Sequence, residues 1–257
     1  MNSTSIAERV RSLILEVAEH SQEPTHLGGS LSSVEIMSVL FSKVMKFSAL
    51  ESKLESEDLF ILSKGHCYLG LLATLCEIGR LTKEELLTYQ SEDGVFGAHP
   101  IMGQTPDIVS SNGSLGHGLG FGLGIAFQKK IDAEPGTVFV LMGDSECSEG
   151  SVFESALLAP ELGVSNLVAI IDSNSFGNDG ALAYGSAKKV AGAFAAFGWD
   201  VCHVDGHSEP EILEALSQRK PGLPKLLLAS TVKGKGWAEV EGTNDSHHIK
   251  FIKRSAE

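Results

Sequence analysis

Two segments decide the fold: Thr137-Val138-Phe139-Val140-Leu141-Met142-Gly143-Asp144 and Leu167-Val168-Ala169-Ile170-Ile171-Asp172-Ser173-Asn174. Each opens on an apolar run without alternation, the pattern of a strand covered on both faces of a parallel sheet. Gly143 permits a sharp turn and leaves Asp144 at the carboxyl end of the first strand. Ser148 and Glu149 then open a helix that runs to about Leu162 and closes at Gly163. The second strand delivers Asp172 and Asn174 to the same sheet edge, where ligands of open α/β sheets gather.

That edge therefore receives a carboxylate at position 144 and an amide oxygen at position 174, 30 residues on. With one turn carbonyl they make a poor cage by themselves. They suit Mg²⁺ or Ca²⁺ that also takes oxygens from a bound phosphate. A capping Asp and a turn-forming Asn use the same residues without any metal, and the spacing leaves both readings open.

Outward from this unit, helix and strand patterns alternate. Apolar positions Ile6, Val10, Leu13, Ile14 and Val17 predict a helix from about Ser5 to His20. Pro24–Ser30 reads as a glycine-bearing loop, and Ser32-Ser33-Val34-Glu35 as a capping box for a helix through Phe41 and Val44. Glu51–Asp58 reads as a solvated connection. Leu59–Leu62 is a short buried strand ended by Ser63-Lys64-Gly65-His66, with a helix following to Ile78. Thr82-Lys83-Glu84-Glu85 caps a helix to about Tyr89, and Gly94–Gln104 is a loop. Asn112–Gly118 leads into a glycine-rich helix from Gly118 to Lys130. Its glycines cost about 1 kcal/mol each relative to Ala, so they imply close approach of another backbone, in the core or across a subunit contact. No G-x-G-x-x-G threads this run, which removes a dinucleotide reading. Helices over Ala187–Phe197 and Glu209–Gln218 alternate with strands over Trp199–Val204 and Lys225–Val232. The expected fold is a three-layer α/β/α arrangement around a doubly wound, mainly parallel sheet. It forms one domain over residues 1–257, of which 1–58 are a helical, loop-rich N-terminal portion.

The formal charge of −13 argues against nucleic acid as a partner. No apolar run approaches the roughly 20 residues of a membrane helix, and the N-terminus lacks a signal-peptide pattern. Cys67, Cys76, Cys147 and Cys202 are scattered without a C-x-x-C pair, as in a reduced cytoplasmic protein. Four loop histidines, His26, His66, His99 and His247, are suited to moving protons and donating to oxygens near neutral pH. Taken singly, each fits an ordinary surface or capping role better than a functional one.

The stretch GDSECSEGSVFESALLAPELGVSNLVAIIDSNSFGNDG (143–180) resembles the thiamine diphosphate signature of transketolases, with Ser145 where Gly is usual. HLGGSLSSVEI, LSKGH, GAHP, NGSLGHGLG and TVKGKG followed by SHH resemble further segments of that family, with Leu27 in place of Pro and His117 in place of Gln. The resemblance implies that Asp144, Asn174 and the Phe176 carbonyl bind the metal. It implies that His66, Gly113, Ser114, Leu115, Gly143, Ser145, Asn178 and His247 border the cofactor, thiamine diphosphate. His26, His66, His99 and His247 would be catalytic, with His248 a substitute for His247. Glu149, assigned by the resemblance to the catalytic and cofactor-binding set, would lie with Glu154 at a dimer contact linking two active sites.

The resemblance covers the pyrophosphate-binding part of a transketolase. It implies an N-terminal subunit that works only with a companion carrying the pyrimidine-binding domain, as an α2β2 heterotetramer in which this chain self-associates. The reaction implied is transfer of a two-carbon ketol unit from a ketose (phosphate) donor to an aldose acceptor. Alternatives are a subunit serving an unusual acceptor, a 1-deoxyxylulose-phosphate synthase relative, and a non-catalytic scaffolding subunit.

Overall fold

The computed structural model describes residues 5–21, 23–46, 58–178, 180–182 and 186–250. Its strands are β1 (Leu59–Leu62), β2 (Val138–Gly143), β3 (Leu167–Ser173), β4 (Phe176–Gly177), β5 (Gly180–Ala181), β6 (Asp200–Asp205) and β7 (Lys225–Ser230). Five of them form one sheet in the order β1-β2-β3-β7-β6, every neighbouring pair parallel. The two-residue strands β4 and β5 make a separate antiparallel pair just past Asn174.

Alternation along the strands separates two apolar layers. Phe139 and Leu141 of β2, Val168 and Ile170 of β3 and Leu227 of β7 face one side. There they meet α1 (Ile6–Ser21), α2 (Leu27–Ser32), α3 (Val34–Val39), α4 (Tyr68–Glu77) and α9 (Glu209–Ser217). Val138, Val140, Ala169, Ile171 and Leu226 face the other side, against α6 (Gly118–Ile131), α7 (Gly150–Glu161) and α8 (Ala187–Phe197). All six residues of β2 are buried, which is why its sequence shows no polar alternation.

The glycines of α6 divide by face. A Cβ on Gly122 would sit 2.6 Å from Val140 Cγ2, and one on Gly118 would sit 2.9 Å from the Ser63 backbone. These two let the helix lie close on the sheet, whereas Gly124 has open space beside it. The close approach at 118 and 122 is therefore made within the core.

Four local expectations need correction. The expected loop at Pro24–Ser30 is helical from Leu27, because α2 is fully buried and its packing overrides the glycine and serine content. The capping box at Ser32–Glu35 does not form. Ser33 Oγ bonds back to the Gly29 carbonyl at 2.9 Å. Glu35 is drawn instead to Arg11 at 2.7 Å and His207 Nδ1 at 3.0 Å. The helix expected through Val44 changes at Leu40 to a π-helical turn, Leu40–Val44. The Thr82 capping box is present, but its helix, α5 (Lys83–Leu86), ends before Tyr89 in a series of turns. Most of the expected connection at Glu51–Asp58 lies outside the described residues. Asp58 itself accepts from the Lys46 and Thr137 backbone N–H groups, at 2.9 and 2.7 Å.

Candidate active site

The carboxyl ends of β1, β2, β3 and β7 open onto a cavity of about 280 Å³. Lys64 follows β1, Gly143 and Asp144 end β2, Asn174 and Phe176 follow β3, and Lys233 follows β7. His26 precedes α2, His66 lies in the tight 3-10 turn Gly65–Cys67, and His99, Gly113 and Leu115 come from the long segment between α5 and α6. Asn178 and His247 complete the wall. A Cβ on Gly29, also in the lining, would sit 2.6 Å from Cys67 Sγ, so that position admits no side chain without displacement.

Asp144 and Asn174 thus line one cavity from adjoining strand tips. Asp144 is 2% exposed. Its Oδ1 accepts from the Ser145 N–H at 2.9 Å and its Oδ2 from the Ser175 N–H at 2.6 Å. Burial, reinforced by the charge of Asp172, pushes the Asp144 carboxyl up to about 6. Asn174 Oδ1 accepts from the Phe176 N–H at 3.1 Å. Between them Ser175 takes the left-handed conformation, φ +67°, a strained non-glycine residue that turns the chain at the site. Ser145, where glycine is usual in the resembled motif, has φ −65°, so the side chain adds no backbone strain.

The histidines gather around His26. Its ring centroid lies 5.5 Å from that of His66, 5.8 Å from His99, 5.4 Å from His247 and 4.4 Å from His248. Burial and then the neighbouring imidazoles lower His26 to about 4. Burial and Lys64 hold His66 well below its usual value, and burial with His248 lowers His99. Lys233 Nζ donates to Asn244 Oδ1 at 2.7 Å and to His247 Nδ1 at 2.9 Å. With Nδ1 accepting, a neutral His247 carries its proton on Nε2. Burial, aided by Lys64, brings Lys233 down to about 8.

Of the residues expected to border the cofactor, Ser114 and Glu149 do not line the cavity. Glu149 is the exposed N-cap of α7, its side chain lying against Gly116. The buried glutamate nearby is Glu146, which accepts from Ser63 Oγ, from the Gly116 N–H at 2.8 Å and from the Gly143 N–H at 3.1 Å. His248 is exposed and stacks on the His26 ring, while His247 faces the cavity. Sequence reasoning gave no role to Lys64, Lys233, Glu146 or Asp172. For the lysines the available signal was the single lysine of LSKGH and the pair Lys233 and Lys235 of TVKGKG.

This donor set fits a cation held jointly with a phosphate. Asp144 is a buried carboxylate with no ion-pair partner among the described residues, an arrangement that is costly unless a cation answers it. Among the described residues no three His, Cys, Asp or Glu side chains form a metal-binding group by themselves. A divalent ion here would draw its remaining oxygens from a ligand. Lys64, Lys233 and the imidazoles that share the lining suit the anionic part of that ligand.

A parallel α/β sheet with such a cleft at its strand tips defines a protein that binds a phosphate-bearing cofactor. The family follows from comparison: residues 2–253 match the model described as "Transketolase, thiamine diphosphate binding domain". The chain therefore belongs to the transketolase family, as the thiamine diphosphate-binding part of a transketolase-type transferase. It is 33% identical over 248 residues to an apulose-4-phosphate transketolase subunit from Phocaeicola vulgatus, covering 94% of this chain and 86% of that one. To the 6-deoxy-6-sulfo-D-fructose transketolase subunit of Clostridium sp. (strain MSTE9) it is 34% identical over 229 residues, covering 88% and 83%. A Pichia stipitis transketolase in complex with sedoheptulose 7-phosphate superposes with a TM-score of 0.87 at 26% identity. That match covers 97% of this chain and 39% of the yeast chain, so this chain spans about two fifths of the length of that transketolase.

Proposed function

We propose that the chain is the N-terminal subunit of a two-component transketolase that moves a two-carbon ketol unit from a ketose donor to an aldose acceptor. The observation that carries this reading is the placement of Asp144, Asn174 and four histidines around one cavity at the strand tips. In this reading Asp144, Asn174 and the Phe176 carbonyl hold Mg²⁺ (or Ca²⁺), and Lys64, His66, Lys233 and the backbone at Gly113 and at Leu115 receive the diphosphate. Thiamine diphosphate, when bound, supplies a carbon nucleophile able to accept and release the ketol unit. His26 and His99, kept neutral by burial and by neighbouring imidazoles, His248 first among them, donate to sugar oxygens or accept their protons. His247 offers its Nε2 proton to an oxygen that gains charge, while Lys233 secures its Nδ1.

The relatives of similar length are named as transketolase subunits, one for a sugar phosphate and one for a sulfo sugar. Anionic sugars are accordingly the proposed substrate class, and a companion chain would carry the pyrimidine-binding domain. Phe121 on α6 with Leu157 and Leu158 on α7 are 46–51% exposed, an apolar face that supports self-association and an α2β2 complex. Glu149 and Glu154 lie exposed near the same face, in keeping with a role at that contact. We also read residues 1–257 as one domain, since α1 to α4 share their core with the sheet. A reducing, cytoplasmic setting is supported by the four free thiols. Among the described residues no helix is long and apolar enough to cross a membrane.

The test is calorimetry of thiamine diphosphate binding to the chain co-expressed with its companion. Binding should require Mg²⁺. Asp144→Ala should weaken it by about a hundredfold or more, the scale of losing one member of a desolvated charge pair. A complex that binds no thiamine diphosphate in the presence of Mg²⁺ would leave the scaffolding alternative standing.

A further inference from the structure

Asp172 lies beneath the proposed metal turn, yet the chemistry above makes no use of it. Its carboxylate is fully buried and meets side chains from four separate segments. Oδ2 accepts from the Lys64 ammonium beyond β1, from Ser32 Oγ of α2 at 2.6 Å and from Asn174 Nδ2 at 3.3 Å. Oδ1 accepts from Thr231 Oγ1 just past β7. An ionised carboxylate accepts hydrogen bonds and donates none. It therefore attracts the NH₂ end of the Asn174 amide and repels the oxygen end. The amide's Oδ1 is left to the Phe176 N–H and the cavity. The two ends of an amide are nearly the same size, and the surrounding hydrogen bonds decide between them. One orientation offers a cation an oxygen; the other offers it two N–H donors.

We propose that Asp172 is a positioning residue whose carboxylate, anchored by Lys64, Ser32 and Thr231, fixes the Asn174 amide with its oxygen toward the cavity. The inference rests on the cation-and-diphosphate reading above and extends it to a residue that touches neither. The competing account is that Asp172 only neutralises the buried Lys64. The two accounts differ in what happens at position 174 when the carboxylate is lost.

Asp172→Asn replaces one acceptor oxygen by a donor and leaves the Phe176 N–H as the remaining named contact that opposes reversal of the Asn174 amide. In the complex with the companion chain, at saturating thiamine diphosphate, Mg²⁺ affinity measured by calorimetry should fall about tenfold or more, as for other outer partners of metal ligands. The exchanged variant Asp172→Asn/Asn174→Asp presents an oxygen to the cavity in either orientation and keeps a carboxylate near Lys64. It should recover Mg²⁺ affinity to within about threefold of the wild type. Thermal unfolding by circular dichroism is read in parallel. Simple neutralisation of Lys64 predicts a lowered Tm and unchanged Mg²⁺ affinity in the single variant. That affinity result overturns the proposal, as does a lowered affinity that the exchanged variant fails to recover or an exchanged variant that does not fold. Should Asp172→Asn alone not fold, recovery in the exchanged variant carries the test. Absence of thiamine diphosphate binding by the wild-type complex is a separate outcome, which removes the functional reading before any variant is made.

Discussion

At the floor of the cavity Lys64 and Asp172 stay ionised although neither side chain is more than 1% exposed. At its rim the imidazoles of His26, His66 and His99 are held below their usual proton affinity. Burial acts against charge in both places. On the floor it is outweighed by the opposite charge alongside and by hydroxyl donors, so Lys64 lies above and Asp172 below its ordinary range. On the rim the nearest ionisable neighbours are other imidazoles and lysines, so their repulsion adds to the effect of burial. The lesson is a division of labour: a fixed ionic floor holds strand tips in register, and a neutral rim keeps lone pairs and N–H groups available near neutral pH.

The contrast can be broken or sharpened experimentally, and the largest effect is expected on the floor. Lys64→Met leaves Asp172 without its counter-ion and should destabilise the protein by about 3–5 kcal/mol in urea unfolding. A loss below about 1 kcal/mol would mean the pair does not anchor the floor. On the rim the effects should move from stability to activity. His26→Gln should lower kcat of the assembled enzyme by about a hundredfold while changing unfolding free energy by less than about 0.5 kcal/mol. Comparable damage to stability would erase the distinction between floor and rim.

The pH dependence of stability separates the regions more finely. His26 titrates at about 4 in the folded chain against 6.5 when unconstrained. Between those values the unfolded chain binds a proton that the folded chain does not, so His26 makes stability fall as pH falls from 6.5 toward 4. His26→Gln should flatten the slope of Tm against pH in that window, and an unchanged slope would count against a depressed His26. The smallest effect belongs to His248, which is exposed and lowers His26 and His99 by its charge. His248→Ala should raise the His26 pKa seen by NMR titration, with stability unchanged to within about 0.5 kcal/mol.

Much of the fold was legible because its signals are local. β2 and β3 are continuous apolar runs, Gly143 and Gly163 mark turns, and α8 occupies the expected Ala187–Phe197. α2 was not legible, because Leu-Gly-Gly-Ser-Leu-Ser has loop composition and becomes helical through burial. Near the site, Glu146 and Glu149 are three residues apart and chemically alike. The 3-10 turn Glu146–Ser148 carries Glu146 inward beneath Gly116 and Gly143 and leaves Glu149 exposed. No periodicity distinguishes the two.

By itself the amino-acid sequence determined the order of strands and helices and the delivery of Asp144 and Asn174 to strand ends. Those outcomes depend on neighbours along the chain: apolar runs, turn-forming residues and caps. The tertiary structure alone decided which polar groups share one dielectric environment. Ser32, Lys64 and Thr231 lie 140, 108 and 59 positions from Asp172, and only folding closes those distances. Electrostatic interaction depends on separation in space and on exclusion of water, so both the ionised floor and the neutral rim come into being when the strand tips meet.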